Sequence, residues 1–295
     1  CPDEATIAFD NKVTYDFMQE QPDLIKGYVY INPRNANAMD VLKNTGVETR
    51  LCLPFEVDRN YELPRDIRFS RLDRELPGAD MLICFGGDGT LLNVASQCAK
   101  ANIPALGINL GRIGFMTEVE VSDIENSLTK LLSGEYTKEK RMLLKASIND
   151  TETYHALNDI VVSKRDHEQL IGVDLYAGGE LVYHYDADGL IIATPTGSTG
   201  YSISAGGPVV DPGMDLYVAT PICAHMLLAR SAVLPADKEL TVKLSDKDAI
   251  ICADGQMKRI ITGDDIIKIS KSNYEFELIK IGKSSFYNTL INKLS

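Results

Sequence analysis

The chain has 295 residues, which is enough for one large domain or two ordinary ones. Hydrophobic residues make up 44% of the sequence and charged residues 24%, a composition typical of globular proteins that argues against a disordered chain. The 42 acidic residues outnumber the 30 Lys and Arg residues and give a net charge of −12, so neither nucleic acids nor membranes are expected as partners. A polyanionic ligand must therefore be bound by a locally shaped site.

Three features of the sequence indicate a cytoplasmic protein. The strongest apolar run, residues 81–85, has the length of a strand, whereas a membrane span needs about 18 residues. The first residues, Cys1-Pro2-Asp3-Glu4, lack the basic and then apolar order of a signal peptide. The six cysteines form no C-x-x-C pair, so neither a disulfide framework nor a zinc site is expected.

In the first half of the chain, strands and helices are predicted to alternate. Residues 81–85 are continuously apolar, as in a strand buried on both faces, and a glycine-rich turn, a helix over 91–100 and a strand over 103–108 follow. This βαβ order implies a parallel sheet. The other predicted elements are a strand at 27–33, a helix at 36–45, and an amphipathic helix at 121–133 that is capped by Ser122 and ended by Gly134.

From residue 142 onward, short β-rich runs separated by turn residues predict an antiparallel, sandwich-like domain. The runs are 143–148, 156–163, 171–176, 180–185, 190–193, 241–244, 250–253 and 265–269, with turns marked by Asn149-Asp150, Gly178-Gly179 and Gly213. We therefore expect an N-terminal α/β domain over 1–141, a C-terminal β-rich domain over 142–270 and a tail over 271–295.

A glycine-rich turn between the buried strand and the next helix forms the first candidate site, Gly86-Gly87-Asp88-Gly89-Thr90. Glycine lets the backbone approach a ligand closely, and the amides of such a turn, together with a helix N-terminus, suit phosphate. Asp88 would repel phosphate, so it is better suited to hold a metal ion or to accept a proton from an attacking hydroxyl, as in phosphoryl transfer. The alternative is a tight turn in which Asp88 only caps the helix.

The second candidate site is the block 188–208, where a strand opens into a loop rich in Gly, Ser and Thr with one aromatic residue, Tyr201. The hydroxyls can donate to phosphate or to base edges, and Tyr201 offers a face for an adenine ring. Pro195 ends the pairing of the strand. The alternative is a solvated turn without a ligand.

Other polar residues give weaker signals. The pair Asn158-Asp159, before an apolar strand, is by itself typical of a turn, and Asp254-Gly255-Gln256 is weaker still. His225 is expected to be an ordinary buried residue. The sequence has no H-E-x-x-H, no G-x-x-x-x-G-K-[ST] and no protein-kinase catalytic loop, so those mechanisms have no support.

Together these blocks resemble the NAD kinase family over residues 27–263. The resemblance rests on the glycine turn at 86–90, on G-I-N-L-G-R-I-G-F at 107–115, on the pair Asn158-Asp159 and on the block 188–208, which contains T-P-T-G-S-T-G-Y-S. The glycine turn alone is shared with diacylglycerol and sphingosine kinases, whereas the two longer runs are not. Gly200, Asp159 and Ala224 replace the Ala, Glu and Pro that are usual in the family, and none of these changes removes a candidate catalytic group.

The resemblance implies an enzyme that transfers a phosphoryl group from ATP or polyphosphate to the adenosine-ribose 2′-hydroxyl of NAD, with Mg²⁺ or another divalent cation. Asp88 would be the catalytic base, and the phosphate loop would consist of Gly86, Gly87, Gly89 and Thr90. The residues implied to bind NAD are Asp88, Gly89, Asn158, Asp159, Asp188, Thr199, Gly200, Tyr201, Ser202, Ser204 and Gln256. The tail would return to the first domain, and the chain would assemble as a homodimer or homotetramer.

Three alternatives remain open from the sequence. A lipid kinase of the glycine-turn group would act on diacylglycerol or sphingosine and not on NAD. A non-catalytic NAD(P)-binding regulator would bind nucleotide without turnover, although the retention of Asp88 argues against it. A structural α/β protein would have to acquire several ordered motifs by accident.

Overall fold

The computed structural model describes residues 47, 51–53, 69–111, 114–165, 170–225, 230–245, 247–282 and 285–294. The predicted strand at 27–33 and helix at 36–45 lie outside these ranges. The α-helices are α1 Leu72–Glu75, α2 Asp88–Ala101, α3 Ile124–Leu132, α4 Tyr201–Ser204 and α5 Phe286–Leu294, and 3₁₀ turns span Leu76–Gly78, Val121–Asp123 and Thr196–Thr199. The strands are β1 Leu51–Leu53, β2 Phe69–Arg71, β3 Leu82–Phe85, β4 Ala105–Asn109, β5 Val119–Glu120, β6 Thr137–Ile148, β7 Glu152–Ala156, β8 Asp159–Lys164, β9 Ile171–Ala177, β10 Glu180–Ala187, β11 Gly189–Ala193, β12 Leu216–Ile222, β13 Ala232–Pro235, β14 Leu240–Leu244, β15 Ala249–Ala253, β16 Gln256–Ile261 and β17 Ile267–Lys280.

These elements cluster into two compact units. One, which we call the β unit, is Lys140–Glu275, and the other, the α/β unit, contains the described residues up to Glu139 together with those from Phe276 onward. The domain boundaries expected after residues 141 and 270 stay a prediction.

The α/β unit is built on the βαβ segment that the sequence predicts. β3 and β4 pair in parallel, with Leu82 opposite Ala105 and Phe85 opposite Ile108, and all residues of both strands are buried. β5 and the end of β17 add to β4 in the same direction. The linking helix α2 begins at Asp88 rather than at residue 91, because the glycine turn already carries the chain into its first helical turn.

The helix α3 differs from its prediction at one end. The expected helix over 121–133 starts with a 3₁₀ turn, Val121–Asp123, and the α-helix proper is Ile124–Leu132. Ser122 was expected to cap it, and that prediction is wrong: the Ser122 hydroxyl donates to Glu120 at 3.5 Å, while Asp123 occupies the N-cap position. Gly134 adopts φ +79° just after the helix, as a terminating glycine does.

The β unit is antiparallel, as predicted. One sheet has the order β13-β12-β11-β8-β15-β16, and a second set of strands includes β10-β9-β14 and the first part of β17. Buried side chains from both sets form one core, so the unit is a sandwich. The turn residues Asn149, Asp150, Gly178 and Gly179 all have positive φ, which explains their place between strands.

Several strand predictions need correction. The run 156–163 is divided into β7 and β8 by a bend at Leu157-Asn158, and the run 265–269 becomes a strand that starts at Ile267 and continues to Lys280. The strands β12, β13 and β16 were not predicted. In the described part of the chain, no helix is both long enough and apolar enough to cross a bilayer.

Candidate functional site

In the glycine turn of the α/β unit, packing requires glycine at residue 86 but not at residues 87 and 89. A Cβ on Gly86 would lie 2.2 Å from the Thr90 hydroxyl oxygen, which is a severe clash. A Cβ on Gly87 or on Gly89 would meet no atom of the described residues within 4 Å. The turn leads directly into α2, where the Thr90 amide donates to the Gly87 carbonyl at 3.0 Å, whereas helix geometry gives the Asp88 and Gly89 amides no acceptor within α2. Open backbone and unpaired amides together suit the approach of a phosphate group.

The Asp88 side chain does not cap the helix. The N-cap position belongs to Gly87, which makes no side-chain bond, and the Asp88 carboxylate turns instead to the loop that follows β4. Its Oδ2 accepts a hydrogen bond from the Phe115 amide at 2.7 Å. Its Oδ1 accepts three, from the amides of Met116 and Thr117 at 3.0 Å each and from the Thr117 hydroxyl at 3.1 Å. The alternative of a simple helix cap is therefore excluded.

Gly114 makes this arrangement possible. A Cβ at residue 114 would lie 1.9 Å from Asp88 Oδ1 and 2.5 Å from the Thr117 hydroxyl oxygen. Only a residue without a side chain lets the loop close on the carboxylate. We call the loop Phe115–Thr117 the Asp88 cradle. The contacts of Gly114 and Phe115 with Asp88 explain why the sequence run at 107–115 ends in Gly-Phe.

In the β unit, a second aspartate is held by amides in the same way. The Asp254 carboxylate accepts from the amides of Leu157, Asn158 and Asp159 at 2.8, 2.7 and 3.2 Å. Asp254 itself has φ +50° and begins the tight turn between β15 and β16. This contact fixes the bend that ends at Asn158 and the entry into β8.

The bend buries polar groups of two side chains, those of Asn158 and Asp159. In the part of the chain that the structure describes, Asn158 Oδ1 is buried and has no hydrogen-bond partner. Asp159 is 5% exposed, and desolvation, followed by the charge of Asp254, raises its pKa to about 7. Desolvation also raises the pKa of Asp254 to about 6, although the three amide hydrogen bonds oppose the change. Uncompensated acceptors of this kind are suited to a ligand that brings hydroxyl donors.

The raised pKa of Asp159 predicts that stability falls as pH rises. An unfolded aspartate loses its proton near pH 3.9, whereas the folded side chain keeps it to about pH 7, so the native state binds more protons between these values. The stabilisation is complete below the unfolded pKa and is lost as pH rises through the folded one. Asp159→Asn is expected to raise the melting temperature at pH 8 by about 2–4 °C more than at pH 5.

Thermal melts of both proteins at the two pH values test this directly. The exposed Asp264→Asn is the matched control and is expected to shift the melting temperature equally at both. Equal shifts for Asp159→Asn at pH 5 and pH 8 would show that Asp159 is not a buried, uncompensated carboxyl group.

The loop after β11 packs against the same bend. The Thr194 amide donates to the Asn158 carbonyl at 2.8 Å, and its hydroxyl donates to the Leu157 carbonyl at 2.6 Å. A Cβ on Gly197 would lie 2.0 Å from the Asn158 carbonyl oxygen. The buried Arg141 donates through Nη1 to the Thr196 hydroxyl at 3.3 Å. This loop is therefore a packed element of the β unit, and the alternative of a solvated turn is wrong.

The remaining residues of the loop differ in how far their side chains are exposed to solvent. Tyr201 is 48% exposed, and its pKa is raised by desolvation and then by the nearby Cys223, Asp159 and Asp188. Ser202 is fully buried, with its hydroxyl 3.0 Å from that of Thr220. Thr199 and Gly200 are partly exposed and Ser204 is exposed.

Three other polar positions that the sequence singled out lie in the β unit. Asp188 pairs with Lys164 at 2.6 Å and is partly exposed. Gln256 is exposed at the start of β16, where its Oε1 accepts from Lys258 at 3.0 Å. His225 was expected to be buried, and this prediction is wrong: it is exposed, and its amide donates to the Asp186 carbonyl at 2.8 Å.

The candidate residues thus fall into two sets. Within the β unit, a hydrogen bond joins the loop at 194–200 to Asn158, and Tyr201 lies near enough to Asp159 and Asp188 for their charges to raise its pKa. The glycine turn and Asp88 belong to the α/β unit. The anchoring role of Asp254 was missed, although an Asp-Gly pair after an apolar run was a usable turn signal.

Comparison with known proteins identifies the family. The protein-family model described as ATP-NAD kinase N-terminal domain matches residues 24–136, and the one described as ATP-NAD kinase C-terminal domain matches residues 157–281. The chain belongs to the NAD kinase family. Its activity is that of an NAD kinase, the phosphorylation of NAD to NADP, and the resemblance seen in the sequence is confirmed.

Curated relatives and solved structures agree with this family. The NAD kinase of Heliobacterium modesticaldum is 43% identical over 221 residues, which are 73% of this chain and 78% of that protein. The NAD kinase of Caldanaerobacter subterraneus is 44% identical over 223 residues, 74% of this chain and 79% of that protein.

Among structures, an NAD kinase from Archaeoglobus fulgidus in complex with ATP superposes with a TM-score of 0.68 at 29% identity and covers 86% of this chain and 92% of that one. A yeast NADH kinase complexed with NADH gives a TM-score of 0.74 at 23% identity, covers 87% of this chain and 82% of that one, and shows the NAD kinase fold alone.

Proposed function

We propose that this NAD kinase uses ATP as its phosphoryl donor, transfers the terminal phosphoryl group to the adenosine-ribose 2′-hydroxyl, and uses Asp88 as the general base. The observation that carries the proposal is the Asp88 cradle, which holds a partly exposed carboxylate in one orientation beside the open glycine turn. A base must be held within hydrogen-bond reach of the proton that it takes, so a fixed carboxylate suits this role.

The proton is proposed to go to Oδ2 of Asp88. Among the described residues, Oδ1 accepts three hydrogen bonds and Oδ2 accepts one, from Phe115, so Oδ2 keeps more lone-pair capacity toward a ligand. As the 2′-hydroxyl gives its proton to Oδ2, its oxygen forms a bond to the γ-phosphorus of ATP. The bond from that phosphorus to the bridging oxygen breaks, and ADP leaves.

The triphosphate is proposed to lie over the phosphate loop at Gly86, Gly87, Gly89 and Thr90. We propose that Mg²⁺ arrives with the triphosphate, because this ion is generally bound through substrate phosphates and water with few protein ligands. Among the described residues, no group of three or more His, Cys, Asp or Glu side chains is placed to hold a metal ion, so no step is assigned to a protein-bound metal. Polyphosphate is the alternative donor for the same loop.

The open glycines give a test that separates ligand binding from folding. Gly89→Ala adds a Cβ that meets no atom of the described residues within 4 Å, so the melting temperature is expected to be unchanged or slightly higher. The same methyl group would obstruct a phosphate on the amide, and we expect kcat/KM for ATP to fall by about tenfold or more. Gly86→Ala is the contrasting variant, since its Cβ clashes with Thr90 and the melting temperature itself is expected to fall. Full activity of Gly89→Ala would exclude phosphate contact at this amide.

NAD binding is proposed for the β unit. The unpaired Oδ1 of Asn158 and the buried carboxyl group of Asp159 suit ribose hydroxyls, and the half-exposed ring of Tyr201 offers a surface for adenine. Asp188, paired with Lys164, is proposed to contact the nicotinamide end. The other residues of the β unit in this set are Thr199, Gly200, Ser202, Ser204 and Gln256, of which Ser202 would contribute through its backbone because its hydroxyl is already bound. Gly89, in the α/β unit, is the further NAD contact that the family resemblance implies.

The proposed setting is a cytoplasmic homodimer or homotetramer, as the family resemblance implies. Light scattering on the purified chain measures the assembly.

The proposed function is tested by product formation with defined substrates. The wild-type chain should convert NAD to NADP with ATP and Mg²⁺ and should lose activity on chelation of the cation. Parallel reactions with polyphosphate and with NADH establish the donor and acceptor preferences. Phosphorylation of diacylglycerol or sphingosine without NADP formation would contradict the proposal, as would binding of NAD without turnover.

A further inference from the structure

The Asp88 cradle has a second set of contacts, which it makes through side chains. Its amides point to Asp88, whereas the ring of Phe115 and the carboxylate of the next residue, Glu118, contact the C-terminal segment of the chain. By C-terminal segment we mean Lys280–Gly282 and the helix α5. All these residues lie in the α/β unit.

Glu118 holds the beginning of the C-terminal segment. Its carboxylate pairs with the Lys280 ammonium group at 2.5 Å, and both side chains are largely buried. Its Oε1 also accepts from the amides of Ile281 and Gly282 at 2.9 and 3.4 Å. A buried ion pair with these added hydrogen bonds ties the residue after the cradle to the end of β17.

The Phe115 ring holds the helix α5. The centroids of the Phe115 and Phe286 rings are 5.8 Å apart, and the Lys293 ammonium group lies 4.7 Å from the Phe115 centroid. Phe286 and Lys293 lie at the two ends of α5, so both ends of the helix contact the Phe115 ring. The Phe115 amide donates to Asp88 Oδ2, the atom proposed to take the proton.

We propose that the C-terminal segment is a positioning element for the catalytic base, with Phe286 and Lys293 acting through Phe115 on the orientation of Asp88. The inference rests on the proposed role of Asp88. Small displacements of a catalytic group are costly, since about 1 Å of misplacement can lower a rate by about 100-fold. Release of the ring lets the Phe115 amide move, which loosens its hydrogen bond to Oδ2.

Two substitutions on α5 test the proposal without altering the site itself. Lys293→Met removes the charge over the ring and keeps the length of the side chain, and kcat is expected to fall by about threefold. Phe286→Leu removes the ring contact, and kcat is expected to fall by about tenfold. KM for NAD is expected to stay within about twofold in both variants, because the NAD contacts are not altered.

Further variants separate positioning from general stability. Lys293→Arg keeps a cation over the ring and is expected to restore kcat. Asn288→Ala, at an exposed position of α5, and Lys100→Met, at an exposed position of α2, should leave kcat unchanged. In a Phe115→Leu background, Lys293→Met should have no further effect, because the ring on which it acts is absent.

The outcomes decide between the two proposals. Wild-type kcat in both Lys293→Met and Phe286→Leu would overturn the positioning role, and so would losses that only follow a lower melting temperature. If Asp88→Asn is inactive in the same assay, such a result leaves the role of Asp88 intact. If Asp88→Asn keeps its turnover, both the base and its positioning are overturned.

Discussion

Asp88→Asn is expected to lower kcat for NADP formation by about 1,000-fold, within the range that a general base contributes. The amide cannot accept the proton of the 2′-hydroxyl, so the attacking oxygen loses its activation. NAD affinity should change by less than about fivefold, because the residues proposed to bind NAD in the β unit keep their contacts. Steady-state kinetics and calorimetric titration with NAD measure the two quantities separately.

The cradle complicates this substitution and requires a control. An amide nitrogen in place of Oδ2 would face the Phe115 amide, donor against donor, so Asp88→Asn also disturbs the loop. Thr117→Val removes the hydroxyl donor to Oδ1 and keeps the carboxylate, and it is expected to lower kcat only severalfold. If Thr117→Val were as inactive as Asp88→Asn, the carboxylate would act as a loop anchor and not as a base.

Gly197→Ala is expected to destabilise the protein and to abolish NAD binding together. Its Cβ would lie 2.0 Å from the Asn158 carbonyl oxygen, which already accepts the Thr194 amide, so the backbone at Asn158 must move. Forced overpacking of this kind costs about 1–3 kcal/mol, which corresponds to a fall in melting temperature of about 2–10 °C. Thermal melts and NAD titration measure the two effects.

Gly200→Ala is the matched control in the same loop. Its Cβ would lie 3.2 Å from the Gly197 carbonyl oxygen and 3.4 Å from Asn158 Nδ2, so small shifts accommodate it. We expect NAD affinity within about threefold of wild type, since the added methyl group requires only these small shifts of its neighbours. NAD binding by Gly197→Ala at wild-type affinity would contradict the role of this loop in supporting Asn158.

The βαβ segment and the antiparallel character of the second half could be predicted from the sequence, because both depend on local patterns. The buried run before Gly86 and the turn glycines at 178 and 179 could be recognised from neighbouring residues alone. The edges of elements were less predictable. Ser122 has the chemistry of a cap, but a 3₁₀ turn places Asp123 at the helix start.

The sites were predictable as motifs but not as arrangements. Asp88 could be singled out by its setting among glycines, whereas its partners Phe115–Thr117 are 27 to 29 residues away in sequence. Asp254 lies 95 to 97 residues from the amides that it binds, so no local pattern indicates the contact. Interactions at such separations are decided by tertiary packing, which a single sequence does not display.

The most direct test of the central claim is the identity of the product that the purified wild-type chain forms from NAD, ATP and Mg²⁺. Phosphorus NMR of the purified dinucleotide distinguishes a phosphate on the adenosine-ribose 2′-oxygen from one at any other position. The account predicts a single product, NADP, formed in equal amount with ADP. A phosphate on another hydroxyl, or no phosphorylated NAD with either ATP or polyphosphate, would contradict it.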